Sequence, residues 1–422
     1  MSVISILAAG TRGDVQPPAA FCRELAGRGH EVRLVAHTEF ADLLDGSAVT
    51  LKPLIGNIHE ELASADARRF FADGGNPFTF MKWFFDVAKK YTAETTPLVR
   101  DYVKGSDIIV GTGLLDYFST AVGRALGIKA AHAYMQPFLP SREFPCALFK
   151  PPPFDMPGWL NKLETQAYFE TTWAGGRSVA KLMHKMLGLP PPSWRYPAYA
   201  ELNVGQPYMM AYSEQILPRP GDWPAHVDVT GFWFLDTPSS WKPPEDLVRF
   251  IQSGSPPIYA GFGSMVMKDP KATVNAVLQA LKANNARGVI SAGWSGYKPA
   301  DLPDTVFAVD SVPHDWLMPK MAASIHHGGA GTTGAALRAG IPQIVVPFLG
   351  DQFFWGLQVE KRGLGPKALP HDRLDAEALG KAMNAALNDQ PMRSRAANAG
   401  ECVRAENGAA RAADIIERAL AT

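Results

Sequence analysis

The sequence predicts an α/β protein built from two doubly wound, Rossmann-like domains that face one another across a cleft. Three observations carry that expectation. At 422 residues the chain exceeds what one hydrophobic core usually supports. Short apolar runs alternate with helical patterns in both halves, as parallel βαβ units require. The polar clusters Gly10–Asp14, Gly263-Ser264, Ser311–Trp316, His326–Thr333 and Asp351-Gln352 all fall at the carboxyl ends of predicted strands, where such sheets bind ligands.

The first half opens with a strand at Val3–Ala9, a turn at Gly10–Asp14, a helix from about Pro17 to Arg28 and a strand at Glu31–Ala36. A strand at Asp107–Gly111, a helix through Leu126 and a strand at Lys129–Tyr134 follow an aromatic-rich insertion, Phe70 to Tyr91. The second half restarts the pattern: strand Pro257–Gly261, helix Pro270 to Asn285, strands Gly288–Ala292 and Val306–Asp310, then the richest segment, Ser324 to Gln352. A helical stretch runs from Ala376 to Ala421. Prolines at 218, 220, 224, 238, 243 and 244 mark a linker. The expected division is therefore residues 1–217 as a first domain, 218–244 as linker, 245–402 as a second domain and 403–422 as a terminal helix.

Composition narrows the function. The 41 basic and 41 acidic side chains balance, so no global field favours nucleic acid or an anionic membrane. No apolar run approaches the ~20 residues that span a bilayer, and the N-terminus lacks the basic start of a secretory signal. Cys22, Cys146 and Cys402 are few and scattered, which fits a reducing cytoplasm and no disulfide framework.

The segment Ser324 to Gln352 reads as strand, glycine-rich turn, helix, strand and an acidic-amide pair. Gly328, Gly329 and Gly331 let the backbone approach a ligand closely. The helix beginning near Gly331 aims unpaired N–H groups and its positive end at the turn, an arrangement that holds phosphate. Thr332 and Thr333 add hydroxyls and His327 an imidazole donor. Asp351 and Gln352, one βαβ step on after a strand at Ile341–Pro347, suit the vicinal hydroxyls of a sugar. A glycine and a hydroxyl at a strand end, Gly263 and Ser264, add a second phosphate signal. An ordinary βαβ unit with glycines at its turns explains neither the paired His and Thr nor the Asp-Gln pair.

These residues resemble the donor-site signature of the UDP-glycosyltransferase superfamily. They are most similar to its branch of sterol glucosyltransferases and enzymes that glycosylate antibiotic aglycones, marked by His-His-Gly-Gly-Ala-Gly-Thr-Thr (326–333) after Val-Pro-His-Asp-Trp-Leu (312–317). The resemblance implies the two-domain glycosyltransferase fold called GT-B, in which residues 1–217 bind the acceptor, 245–402 bind the nucleotide sugar and the helix of 403–422 packs back on the first domain. It implies a phosphate-binding His327, with His326 structural, and Ser264 on the diphosphate. Gly13, in the opposite turn, is expected beside that diphosphate, while Thr11 and Arg12 either face it or shape the turn. Asp14 reads either as a helix cap or, as the matching Gly-Thr-Arg-Gly-Asp run implies, as the general base that deprotonates the acceptor hydroxyl. The nucleoside is assigned to Gly263, Ser311 and the Val312 backbone. Plant relatives stack a Trp on the base where this chain has Ser311, so uridine, thymidine and guanosine donors all stay open. Trp316 is expected to pack beneath the loop.

The spacing of Gly10–Asp14 is not that of the dinucleotide fingerprint, which disfavours a nicotinamide enzyme. No Asp-x-Asp occurs in the chain, so no metal and no cofactor is expected, and leaving charge is met by N–H groups and His327. Phe80, Phe84, Met135 and Phe138 either line an apolar acceptor pocket or are ordinary core. The expected activity is inverting transfer of a sugar from a UDP-sugar, UDP-glucose first, to a hydroxyl of a lipophilic acceptor such as a sterol or a natural-product aglycone. Partners are then small molecules, with no nucleic acid and no integral membrane segment. Two rivals remain: a nucleotide-sugar epimerase or hydrolase on the same fold, and a non-catalytic partner protein.

Overall fold

A computed structural model describes residues 1–57, 60–61, 77–197, 205–263, 265, 269–291 and 302–421, with the backbone alone at 77–81. The first half runs β1 (Val3–Leu7), α1 (Arg12–Gly27), β2 (Glu31–Ala36), β3 (Thr50–Pro53), α2 (Pro77–Tyr102), β4 (Ile108–Thr112), α3 (Asp116–Leu126), β5 (Lys129–Tyr134), α4 (Gly158–Leu187), β6 (Tyr208–Met210) and β7 (Val227–Val229). The second runs α5 (Glu245–Gln252), β8 (Ile258–Gly261), α6 (Pro270–Ala283), β9 (Gly288–Ser291), β10 (Val306–Val309), β11 (Ala323–His326), α7 (Ala330–Ala339), β12 (Gln343–Val345) and α8 (Asp351–Lys361). Three helices end the chain: α9 (Ala376–Asn388), α10 (Gln390–Ala405) and α11 (Gly408–Ala421).

Every strand pair is parallel, in one seven-stranded sheet ordered β3-β2-β1-β4-β5-β6-β7 and one five-stranded sheet ordered β10-β9-β8-β11-β12. The central strands read as near-continuous apolar runs, Val-Ile-Ser-Ile-Leu in β1 and Ile-Ile-Val in β4, because helices cover both faces. Strand order reverses between β1 and β4 in the first sheet and between β8 and β11 in the second. Loops at such switch points diverge to opposite faces and leave a crevice at the strands' carboxyl ends. The residues after β1, β8 and β11 are Gly10–Asp14, Phe262-Gly263 and His327–Gly329.

Several boundaries differ from the sequence reading. Helix α1 starts at Arg12 rather than near Pro17, so Pro17 and Pro18 lie inside it. The segment assigned to the linker contains β7, which pairs with β6. The C-terminal helical stretch is three helices, broken where Asp389 caps α10 and at Glu406-Asn407. The apolar face of α11 (Ala409, Ala412, Ala413, Ile415, Ile416) is buried in the core of the first sheet against α1. Its outer face is clamped by Arg28, whose NH1 donates to Asp414 at 2.6 Å and Glu417 at 2.9 Å. Each buried Ile there stabilises the contact by about 1.5–3 kcal/mol.

Residues 77–91 of the aromatic insertion form the first turns of α2, which packs on α4. Gly175 and Gly176 open a notch for the Phe85 ring, since a methyl at either would lie 2.9 or 2.5 Å from it. Phe84 lies edge-on to Phe85 at 5.6 Å. The side chain of Phe80 lies outside the described residues. Among the described residues no helix is long and apolar enough to cross a membrane.

Candidate functional site

A cleft of about 1330 Å³ separates the two sheets. Thr11, Arg12, Gly13, Asp14, Met135 and Gln136 line one wall; Gly263, Ser311, Val312, His327, Gly329, Gly331, Thr332, Asp351 and Gln352 line the other.

On the first wall, Thr11 caps α1 and Asp14 is the third residue of the helix rather than its cap. The Asp14 carboxylate reaches back, and its Oδ2 accepts the Thr11 N–H at 2.8 Å and the Thr11 hydroxyl at 3.0 Å. That fixes the side chain, and Oδ1 has no partner among these bonds. Gly10 must be glycine: its φ is +129° and a methyl would strike Asp14 Oδ2 at 2.4 Å. Burial raises the Asp14 pKa, offset in part by the two Thr11 bonds. Arg12 is turned to Gln16 (2.9 Å) and to the exposed Asp42.

On the second wall, α7 begins at Ala330 with Gly329 at its cap, and no side chain satisfies its first N–H groups. A short uncapped helix start facing a cleft is a donor array for an anion. The His327 ring stands beside it, held between two glycines: a methyl at Gly329 would lie 2.5 Å from its Nε2, and one at Gly263 3.0 Å from its Cε1. His327 Nδ1 is buried without a hydrogen-bond partner. Burial, then the like charge of His314, pushes its pKa down to about 4, so the ring is neutral near pH 7. His326 faces inward, its Nε2 bonded to Gln343 at 3.0 Å and its Nδ1 accepting the Gly328 N–H at 3.1 Å.

Further along, Asp351 opens α8 and its Oδ2 accepts the Trp355 indole N–H at 3.1 Å. Burial and then the Asp14 charge push its pKa up to about 6, so the two carboxylates sense one another across the cleft. Gln136, from the opposite wall, lies close enough to Asp351 to oppose that rise in part. Gln352 Oε1 is taken by the N–H groups of Phe348 (2.8 Å) and Leu349 (3.2 Å), which leaves its amide nitrogen, 3.1 Å from Met265 Sδ, as its outward group.

The structure thus gathers Gly13, Asp14, Met135, Gly263, Ser311, Val312, His327, Gly329, Gly331, Thr332, Asp351 and Gln352 on one cleft. Others it does not bring there. Thr333 is fully buried on the inner side of α7, and its hydroxyl has no partner among the described residues. Gly328, at φ +89°, makes the turn itself, where a methyl would meet Gln352 O at 2.9 Å. Phe138 packs on Tyr134 and Phe169, and Phe84 sits at the helix contact, so neither lines the cleft. Ser264 lies outside the described residues. Sequence reasoning missed Gln136, which carries no motif. It also missed the Tyr259–His314 pair (3.2 Å), whose members are 55 residues apart in the chain. Among the described residues no group of three or more His, Cys, Asp or Glu could hold a metal.

Comparison with known proteins agrees with this geometry. Residues 4–110 match the glycosyltransferase family 28 N-terminal domain, and residues 277–418 match the erythromycin biosynthesis protein CIII-like C-terminal domain. A sterol 3-beta-glucosyltransferase of Arabidopsis thaliana is 33% identical over 99% of this chain and 68% of its own length. One from Leptosphaeria maculans is 33% identical over 99% of this chain but only 29% of its own, so the chain spans under a third of that relative. The glycotransferase of kitacinnamycin superposes with a TM-score of 0.74 at 18% identity, covering 99% of both chains. The calicheamicin glycosyltransferase superposes at 0.72 and 17%, covering 100% of this chain and 98% of that one. Both share the fold.

Proposed function

This chain belongs to the UDP-glycosyltransferase superfamily, in the branch of sterol and antibiotic-aglycone glycosyltransferases, and from that premise we propose that it transfers glucose from UDP-glucose to a hydroxyl of a lipophilic acceptor. Sterols are the first acceptors to test, natural-product aglycones the second. The observation that carries the reading is that Asp14 on one wall and the α7 N-terminus, His327 and Asp351 on the other border a single cleft.

In this reading the acceptor hydroxyl gives its proton to Asp14 as its oxygen forms a bond to the sugar's anomeric carbon. The bond from that carbon to the diphosphate oxygen breaks on the opposite face, and the electron pair leaves with UDP. N–H groups at the start of α7, the Thr332 hydroxyl and His327 meet the developing charge, a task for preorganised donors. Asp351 and the Gln352 amide nitrogen hold sugar hydroxyls. One displacement with no covalent sugar–enzyme stage inverts the anomeric centre, and no step requires a metal. The three free cysteines fit work in a reducing cytoplasm.

Mass spectrometry of products from UDP-glucose and a panel of sterols and aglycones tests the reading. An acceptor mass increased by one hexose is expected, and Asp14→Asn should lower turnover by about 10²–10⁴-fold with UDP binding kept. Release of free glucose with every acceptor left unmodified would assign a hydrolase instead.

A further inference from the structure

A nucleobase is a flat ring, and proteins that grip one by its face do so with an aromatic side chain. The loop at the nucleoside end of the cleft begins with Ser311, which has no such face. Two nearby rings are committed elsewhere. Trp316 carries Lys320 Nζ 4.2 Å above its ring and sits in the apolar cluster under the loop. His314 is bonded through Nε2 to the Tyr259 hydroxyl and lies edge-on to that ring.

A third ring reaches this wall from the connection between the two sheets. Downstream of β7 the chain is tied to the nucleoside loop at Thr237, whose N–H donates to Asp315 Oδ2 at 2.8 Å and whose hydroxyl donates to Oδ1 at 2.5 Å. Both oxygens of one carboxylate are spent on one residue, which fixes the strap in place. The Trp241 N–H then donates to Pro238 O at 2.9 Å, closing a turn that brings the indole back to the cleft. Trp241 meets Trp316 at 5.5 Å with 62° between the planes, so the rings are not stacked face to face. It is half-buried and lines the cleft together with Ser311 and Val312. A tryptophan that served only to cover Trp316 would gain nothing from standing open to the cleft.

We propose that Trp241 is the face on which the donor's nucleobase rests, with Thr237 and Asp315 as its positioning pair. The connection between the lobes then forms part of the donor site and replaces the ring that Ser311 lacks. This inference rests on the reading of the cleft as a nucleotide-sugar site.

Calorimetric titration of the full chain with UDP and with inorganic pyrophosphate tests it. Trp241→Ala should weaken UDP about ten- to a hundredfold, the usual scale of one base–aromatic stack, and leave pyrophosphate within about twofold. Trp241→Phe keeps an aromatic face and should hold UDP within about threefold of wild type, while the quenching of tryptophan fluorescence by UDP is lost. Wild-type UDP affinity in Trp241→Ala overturns the proposal. So does an equal loss of UDP and pyrophosphate, which would give Trp241 a purely structural role, and so does unchanged quenching in Trp241→Phe. Wild-type protein that binds neither ligand overturns the donor-site reading, and this proposal with it.

Discussion

Gly329→Ala probes the cradle at its tightest point. The added methyl would lie 2.5 Å from His327 Nε2 and 3.2 Å from Cδ2, inside the roughly 3.5–4 Å of favourable heavy-atom contact. Gly329 has φ −63° and ψ 145°, which alanine adopts freely, so the backbone is not the source of strain. The ring must move by about 1 Å to restore contact distance. On its other side stands Gly263, where even a methyl would lie only 3.0 Å from its Cε1. A hydrogen bond to a charged group contributes about 1.5–3 kcal/mol, so UDP affinity should fall about ten- to a hundredfold. Stability should change little: alanine is a poorer cap than glycine by about 0.5–1 kcal/mol, a melting shift of about 1 °C in a chain this long. Titration calorimetry of wild type, Gly329→Ala, His327→Ala and the double variant decides the matter. If the methyl acts through His327, the double variant binds UDP within about 0.5 kcal/mol of His327→Ala alone. Additive losses, or wild-type affinity in Gly329→Ala, would refute the reasoning.

Four other outcomes follow from the structure. Asp351 is raised from 3.8 to about 6, and a carboxyl raised in the folded state weakens folding as pH climbs from about 4 through about 6; Asp351→Asn should therefore be about 1–2 kcal/mol more stable than wild type at pH 7 and equal to it near pH 3.5, by thermal melts at both values. His327 is held down to about 4, and a bound diphosphate raises its proton affinity; UDP binding should tighten from pH 8 to pH 6 with a slope that shrinks in His327→Ala, measured by titration at each pH. Gly408→Ala puts a methyl 2.5 Å from the carbonyl oxygens of both Gly231 and Phe232 and should cost about 1–3 kcal/mol or more in denaturant melts. Gly27→Ala, with nothing within 4 Å in a helical position, should gain about 0.5–1 kcal/mol in the same assay.

Strands β2 and β5 have the bounds the sequence predicts, because each is a mostly apolar segment that starts two residues after a glycine turn, Gly29 and Gly127. The start of α1 was not legible in that way. A Pro-Pro pair reads as a helix start, yet Thr11 and Asp14 satisfy the first N–H groups five residues earlier and draw the prolines inside. Strand β7 is three residues long among prolines, and only its pairing with β6 makes it a strand. Motif spacing located His327, Asp14 and Asp351, since close backbone approach and N–H donors are local properties. The inward turn of Thr333, the backbone ties of Gln352 and the placing of Trp241 are long-range or rotameric outcomes that spacing does not encode. Helical periodicity leaves the Phe80–Phe85 run open between pocket lining and core, because it does not say which partner a face meets. The Gly175-Gly176 notch that receives Phe85 lies about 90 residues away.

The capping-box bonds of Asp14 are compatible with the proposed base role. The Thr11 bonds hold Oδ2 and remove the rotamer freedom that a loose carboxylate would bring to a proton transfer. Those bonds and the α1 dipole favour the charged form, while burial disfavours it, and burial wins. The carboxylate is therefore a better proton acceptor than an exposed aspartate, in the direction a general base needs. Asp351 is shifted the same way from the other wall, in part by Asp14 itself. Two like-charged groups facing one another repel. A polyhydroxylated ligand lying between them can donate hydrogen bonds to both, so the repulsion that marks the cleft is also the feature that a sugar and an acceptor hydroxyl are suited to relieve.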